Sequence, residues 1–502
     1  MKMIYNVKDK PKFGQLIVFA FQQLLAIMAA TIAVPMIVGN GMSTSAALFG
    51  AGIGTLVYVL FTKAKSPVFL GSSFAFLGAM FAAFSGAASA ALGYVGLIIG
   101  AALAGLVYVV IALIIKFAGV KWINKIMPAV VIGPIVAIIG LSLAGNAIGD
   151  LSKVNYTAPV DMAQVQAVEV GTINEDGTIA SSYVAVNDDG TVNESITLTP
   201  DENGNLTAAT QPGSPYVAVI CGLVTLAVVM LCSVYGKKMA RLIPFIIGIL
   251  AGYLVATIFY FIGKATGNAA LMVIDYSALI NNFKVIGVSS FIAMPDFSFL
   301  KAFGAFGEVN GAYIGTIAAA YVPVAFVVFA EHIADHKNLS SIIEHDLLED
   351  PGLSRTLLGD GIGSMVGAAF GGCPNTTYGE SIGCVAITKN ASVSTIIVTA
   401  CEAIIISFIA PFVAFLSTIP SCVMGGVCIA LYGFIAVSGL KMLQKVDLDD
   451  NRNLFTASVI LITGVGGFIL TFGTITITTV ACALILGILT NVMLSKKKKS
   501  EK

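Results

Sequence analysis

Three short stretches of this chain carry the side chains with which it could do chemistry. Gly371–Thr388, GGCPNTTYGESIGCVAIT, sets one carboxylate, Glu380, among glycines, small polar residues and Pro374. Residues 330–336, AEHIADH, hold Glu331 with Asp335 one helical turn later, beside His332 and His336. Residues 71–76, GSSFAF, hold no charge but place Phe74 beside serine and glycine. Carboxylates accept hydrogen bonds when ionised and donate one when protonated, so Glu331 and Glu380 suit ligand binding and proton carriage. No nucleophile–base constellation accompanies them, and an enzyme is not expected. His332, His336 and Asp335 share a helical stretch, but the HExxH spacing is absent, and we expect neither a metal nor a cofactor.

These residues need an unusual scaffold. Long apolar segments flank them, and a charge at bilayer depth costs about 2.5–3.5 kcal/mol, so a carboxylate there is seldom decorative. Pro374 and Gly371, Gly372, Gly379 and Gly383 argue against a plain helix through Glu380. A short extended piece followed by a half-helix is the better expectation. Such irregular backbone survives at depth only when buried in protein or lining a wet cavity.

The rest of the chain supplies the membrane setting. Of 502 residues, 57% are hydrophobic and 11% charged, and the apolar runs recur at spanning length. This is an all-α polytopic membrane protein. Fourteen candidate spans run near 14–38, 44–62, 68–86, 91–116, 128–149, 215–235, 242–263, 312–334, 355–371, 373–388, 393–416, 420–440, 454–472 and 474–495. Alternate connections carry Lys8, Lys10 and Lys12, then Lys63 and Lys65, Lys237 and Arg241, Lys337 and Arg355, Lys389, Lys441 and Arg452, and the tail KKKKSEK. The connections NGMSTS, SGAASA and TFGTI between them carry no basic residue. The positive-inside rule then places both termini in the cytoplasm, with the chain in the cell membrane. The 264–311 connection, with three lysines, is the outside loop that weakens the pattern. Formal net charge is zero, and no nucleic-acid partner is expected.

Residues 150–213 form a different kind of outside loop, acidic and rich in alternating stretches such as SYVAVN. Turn pairs at Asp176-Gly177, Asp189-Gly190 and Asn203-Gly204 predict β-hairpins in a small insertion, a lid or a decoration, to which no transport chemistry is assigned. A faint internal repeat is also present. Pro128 and Gly133 in span five match Pro420 and Gly425 in span twelve, and the interrupted spans are centred on Phe74 and Tyr378. Seven spans per copy is odd, so the second copy lies inverted. Paired broken segments in inverted halves point to a midplane site, and Phe74 and Tyr378 are placed to flank one flat ligand.

The stretches GSSFAF, AEHIADHKNLSSII, DPGLSRTLLGDGIGS and GGCPNTTYGESIGCVAIT together resemble the nucleobase–ascorbate transporter family, nearest to its bacterial uracil permease branch. The resemblance spans nearly all the chain outside the insertion. It implies two inverted seven-span repeats with short strands in spans three and ten. It also implies a core domain of 1–116 and 264–416, and a gate domain of 117–263 and 417–495, leaving 496–502 as a basic cytoplasmic tail. On the same basis Glu331 and Glu380 accept hydrogen bonds from the ring N–H groups of uracil. Backbone N–H groups at Phe74 and Gly379 meet the ring carbonyls, with Phe74 and Tyr378 packing on the ring. The proton would be handled by Glu331 with Asp335 or His336. A homodimer in lipid is implied as well.

The chain departs from the family's pattern in three places. Asp335 stands where relatives have histidine, and Gln22-Gln23 where some have Gln-His. Two carboxylates at close range resist being charged together, so a proton can reside between Glu331 and Asp335. Pro374-Asn375-Thr376-Thr377 replaces the Gln-Asn-x-Gly of purine and ascorbate members. The expected function is proton-coupled uracil import. A purine symporter, an anion transporter and a channel on the same fold are the alternatives.

Overall fold

The computed structural model describes residues 3–119, 128–160, 166–173, 179–186, 196–200, 206–210, 212–237, 239–444, 446–472 and 475–494. The tail 496–502 and the three turn pairs of the insertion lie outside the described residues. Apolar runs become helices here because lipid offers backbone groups no partner outside their own segment.

The first half contains α1 (Phe13–Val38), α2 (Thr44–Phe61), strand β1 (Leu70–Ser72), α3 (Leu77–Ser85), α4 (Ala90–Ala118), α5 (Ala129–Ser142) and α6 (Ala144–Leu151). The insertion follows, with β2 (Ala158–Val160), β3 (Gln166–Ile173), β4 (Ile179–Val186), β5 (Ile196–Pro200) and β6 (Leu206–Thr210). Then come α7 (Pro215–Tyr235), α8 (Pro244–Thr266) and the short α9 (Ser277–Lys284). The second half holds α10 (Gly311–Ile343), α11 (Leu353–Gly371), β7 (Asn375–Thr377), α12 (Gly379–Thr388), α13 (Val393–Ser407) and α14 (Ala410–Ser417). It ends with α15 (Ser421–Leu443), α16 (Asn451–Val465), the hairpin β8 (Leu470–Phe472) and β9 (Ile475–Ile477), and α17 (Thr479–Leu494). Among the described residues, eight helical segments are long and apolar enough to cross a membrane, and three shorter apolar helices accompany them. The protein is therefore a multi-pass membrane protein. Ser43, Ser89 and Asn310 cap α2, α4 and α10 by accepting from backbone N–H groups three residues on.

The inverted repeat is visible in the packing. α2 packs on α11, α5 on α15 and β1 on β7, each element meeting its counterpart in the other half. Four further helix pairings are matched by an equivalent in the other half. α2–α13 mirrors α11–α4, α1–α13 mirrors α10–α4, α5–α16 mirrors α15–α7, and α7–α8 mirrors α16–α17. α1 to α4 thus gather with α10 to α13, while α5 to α8 gather with α15 to α17. Contacts between the two groups run mainly through α1 and α10.

The α2–α11 crossing is unusually close. A Cβ at Gly50 would lie 2.3 Å from the Gly367 carbonyl oxygen, and one at Gly54 would lie 2.7 Å from that of Gly363. Small residues let backbones approach where lipid supplies no hydrophobic drive between helices.

Four features differ from the sequence reading, the first being that the segments expected at 454–472 and 474–495 meet in the β8–β9 hairpin. The segment expected at 312–334 continues to Ile343, so Glu331 lies in the body of α10 and not at its polar end. It can continue because its buried imidazoles find partners on neighbouring helices. The segment expected at 393–416 is broken between Ser407 and Ala410. The connection after α8 is not a bare loop but carries α9 and several short helical turns. The insertion is β-structured as expected, with β3–β4 and β5–β6 hairpins and β2 added to β6.

Candidate substrate site

The site rests on a two-stranded antiparallel ribbon inside the helical body. Leu70 faces Thr377, Gly71 faces Thr376 and Ser72 faces Asn375, and all six residues are buried. So short a ribbon leaves polar groups exposed along its edges, and helices satisfy them. Thr55 of α2 accepts from the Leu70 N–H at 2.9 Å, and Ser364 of α11 accepts from the Asn375 N–H at 2.9 Å. These two bonds are equivalent under the repeat. Asn375 also donates to the Gly50 carbonyl at 3.1 Å, tying the ribbon to the close crossing.

Each strand feeds a half-helix. After β1 a tight turn at Phe74–Phe76 leads into α3, and after β7 Gly379 opens α12. The first N–H groups of a helix lack intrahelical acceptors, and its dipole makes that end partly positive. Two such ends therefore converge on the ribbon. Nothing stands within 4 Å of a Cβ built at Gly379, so that end is open. Gln23 of α1 steadies α12, donating to the Ser381 hydroxyl and carbonyl, while the Phe69 N–H donates to the same hydroxyl at 3.0 Å.

A cavity of about 420 Å³ opens against these ends. Glu331, Asp335, Phe74, Tyr378, Gly379 and Glu380 all line it. Thr377 donates to Asp335 Oδ2 at 2.7 Å. The ring of Tyr378 lies over Gly71, where a Cβ would come within 2.3 Å of it, and its hydroxyl donates to the Ser72 carbonyl at 2.8 Å. Phe74 meets Tyr432 of α15 edge to face, with 6.0 Å between ring centroids. Ser73 and Thr376 also line the cavity, and their hydroxyls are buried without a protein partner among the described residues. Among the described residues, no basic side chain lines it.

His336, expected near the proton, does not line the cavity. Its Nδ1 faces the His332 carbonyl at 2.8 Å and so donates, while Nε2 lies 2.6 Å from the Tyr58 hydroxyl. His332 places Nδ1 2.7 Å from Asp360 Oδ2 and Nε2 3.0 Å from the Thr356 hydroxyl. Both imidazoles are thereby committed to structural partners behind the site. The sequence reading assigned no role to Asp360, although the residue sits in one of the stretches that carry the resemblance. It also missed the wall opposite the ribbon. α15 supplies Leu431, Phe434, Ser438 and Met442, and α5 supplies Val136 and Ile139. Their spacing of three and four residues is the ordinary signature of a buried helix face and singles out no ligand.

A family model described as "Permease family" matches residues 14–174 and 207–472. The chain belongs to this family, the nucleobase–ascorbate transporters. The gap in the match lies within the insertion. A uracil permease of Bacillus caldolyticus is 36% identical over 497 residues, covering 98% of this chain and 95% of the relative. One from Bacillus subtilis (strain 168) is 34% identical, covering 100% and 97%, and one from Escherichia coli (strain K12) is 32% identical, covering 96% and 92%. Permeases are transporters, not enzymes.

Solved structures share the fold at low identity. The transmembrane domain of a cyanobacterium bicarbonate transporter, BicA, aligns with a TM-score of 0.56 at 14% identity, covering 97% of this chain and 99% of that one. The murine Slc26a9 anion transporter in the inward-facing state aligns with a TM-score of 0.56 at 11% identity, covering 97% and 69%. These likenesses extend to the 7+7 inverted-repeat architecture.

Proposed function

We propose that this permease imports uracil, or a pyrimidine base very like it, together with a proton. The observation that carries the reading is the convergence of Glu331 and Glu380 with the half-helix ends at Phe74 and Gly379 on one cavity. Uracil alternates N–H donors and carbonyl acceptors around its ring. Carboxylates answer the first and helix-end N–H groups the second. Phe74 and Tyr378 offer apolar faces to the flat ring. The names of the similar permeases point to the same substrate.

In this reading the segments α1 to α4 with α10 to α13 are a core, α5 to α8 with α15 to α17 are a gate, and both termini are cytoplasmic. The cavity follows α15 from Leu431 to Met442, near that helix's C-terminal end, while Phe74 and Tyr432 close the other side. That corresponds to an inward-facing state. Glu331 with the adjacent Asp335 takes the proton, and movement of the core against the gate exposes the site to each side in turn. A proton moved down 100 mV supplies about 2.3 kcal/mol, against about 1.4 kcal/mol per tenfold gradient, enough for roughly fortyfold accumulation.

The fold neighbours favour a second reading, an anion transporter. Three lining carboxylates, with no lining cation among the described residues, oppose it. Uptake of labelled uracil into proteoliposomes, with and without an inward proton gradient, tests both halves of the proposal. Accumulation driven by the gradient and blocked by uracil analogues is expected. Uptake of sulfate or bicarbonate in its place overturns the substrate, and indifference to the gradient overturns the coupling.

A further inference from the structure

The connection between α8 and α10 reads in sequence as a loop exposed to water, yet it displays a row of bare apolar side chains. Ile286, Val288, Ile292, Met294, Phe303 and Phe306 are all more than half exposed, Val288 at 79% and Phe303 at 84%. The segment is not loose. Phe297 packs on Phe49 of α2 and Phe370 of α11, with centroids 4.9 and 5.4 Å apart, and Phe299 packs on Phe370 at 5.6 Å. Lys301 donates to the Gly41 carbonyl and pairs with Asp296. One face is therefore fixed to the protein while the other stays uncovered.

The backbone shows at what height this happens. Where the helical path breaks between α13 and α14, Ile292 forms an antiparallel bridge to Ile409. The Ala293 N–H donates to the Phe408 carbonyl, and the Ala410 N–H to the Phe291 carbonyl, both at 3.0 Å. The connection thus satisfies groups that a broken helix would leave stranded in hydrocarbon. From Val393 to Ser407 α13 rises about 22 Å at ~1.5 Å per residue, less than the ~30 Å of a bilayer's hydrocarbon core. A helix of this length that starts at one edge of the core ends inside it, which sets residues bonded to the break level with acyl chains. Ile405 and Ile409 beside it are themselves exposed, so the bare face continues a lipid-facing surface.

We infer that residues 285–306 form an arm immersed in the leaflet remote from the chain's termini, with acyl chains covering its apolar face. The arm borders the site's supports. A Cβ at Gly372, in the turn leading to β7, would lie 2.7 Å from Ser298 Oγ, so bilayer composition has a direct path to the ribbon. This placement is independent of the substrate proposed above.

Single-tryptophan probes test it. Trp122, the chain's one tryptophan, is replaced by phenylalanine, and Val288→Trp or Phe303→Trp is added. Each is reconstituted in phosphatidylcholine liposomes with ordinary or brominated chains, with Ile405→Trp as the reference. The arm predicts blue-shifted emission, quenched by brominated chains as strongly as the reference and hardly by aqueous iodide. Quenching by iodide alone overturns the proposal by placing the segment in water. Protection from both quenchers overturns it too, because protein then covers the face. The two positions report separately, so one poorly folded variant does not remove the test.

Discussion

Gly50→Ala places a methyl carbon 2.3 Å from the Gly367 carbonyl oxygen, where ordinary contact begins near 3.4 Å. Both partners are helix backbone, so no side chain can swing aside. α2 and α11 must separate by about 1 Å, and overpacking of this kind costs roughly 1–3 kcal/mol. The same opening is shared across the ribbon, lengthening the Leu70–Thr55 and Asn375–Ser364 bonds from 2.9 Å to about 3.4 Å each, or one of them to nearly 4 Å, beyond hydrogen-bonding distance. Each buried group left unsatisfied adds about 1–3 kcal/mol. The ribbon's support is then weakened on both edges or lost on one, and the half-helix ends lose their common aim. Substrate binding should weaken at least tenfold and the thermal midpoint should fall, measured on purified protein with expression checked separately. Gly383→Ala is the control, because nothing lies within 4 Å of its Cβ and alanine is the better helix former. Gly50→Ala with wild-type affinity and midpoint would refute the close crossing. Equal damage from Gly383→Ala would show that the crossing is not the cause.

Gln23→Leu removes the donor held by Ser381 and should weaken binding about five- to a hundredfold, read by calorimetric titration. Asp360→Ala strips His332 of one of its two buried partners and should lower the thermal midpoint even without substrate, as scanning fluorimetry will show. Replacing residues 158–210 with a short glycine-serine linker should leave uptake within about twofold, since no residue of the insertion lines the cavity among those described. Uptake assays on that deletion would detect any hidden role as a lid.

The breaks at both half-helices were legible because glycine, proline and serine interrupt apolar runs at Gly71–Phe76 and Gly371–Gly379. So was the inverted repeat, from two prolines and two broken spans in matching places. What could not be read was pairing across the chain. Nothing near Ser364 announces that it holds Asn375 in the next segment, or near Thr55 that it holds Leu70. His332 and His336 read as a polar helix end because the partners that let α10 continue, Asp360 and Tyr58, lie on other helices. The apolar connection after α8 was hidden by its three lysines, one of which is spent on Asp296 and Gly41. Ser438 and its neighbours on α15 were invisible for the opposite reason, since they look like any packed helix.

The central claim is that Glu380 at the open end of α12 binds the substrate, and titration of uracil into purified wild-type protein and Glu380→Ala tests it most directly. Removing a charged acceptor from a buried N–H should cost about 1.5–3 kcal/mol, a ten- to hundredfold rise in Kd, with the thermal midpoint of the substrate-free protein preserved. An unchanged Kd in the folded variant would contradict the account.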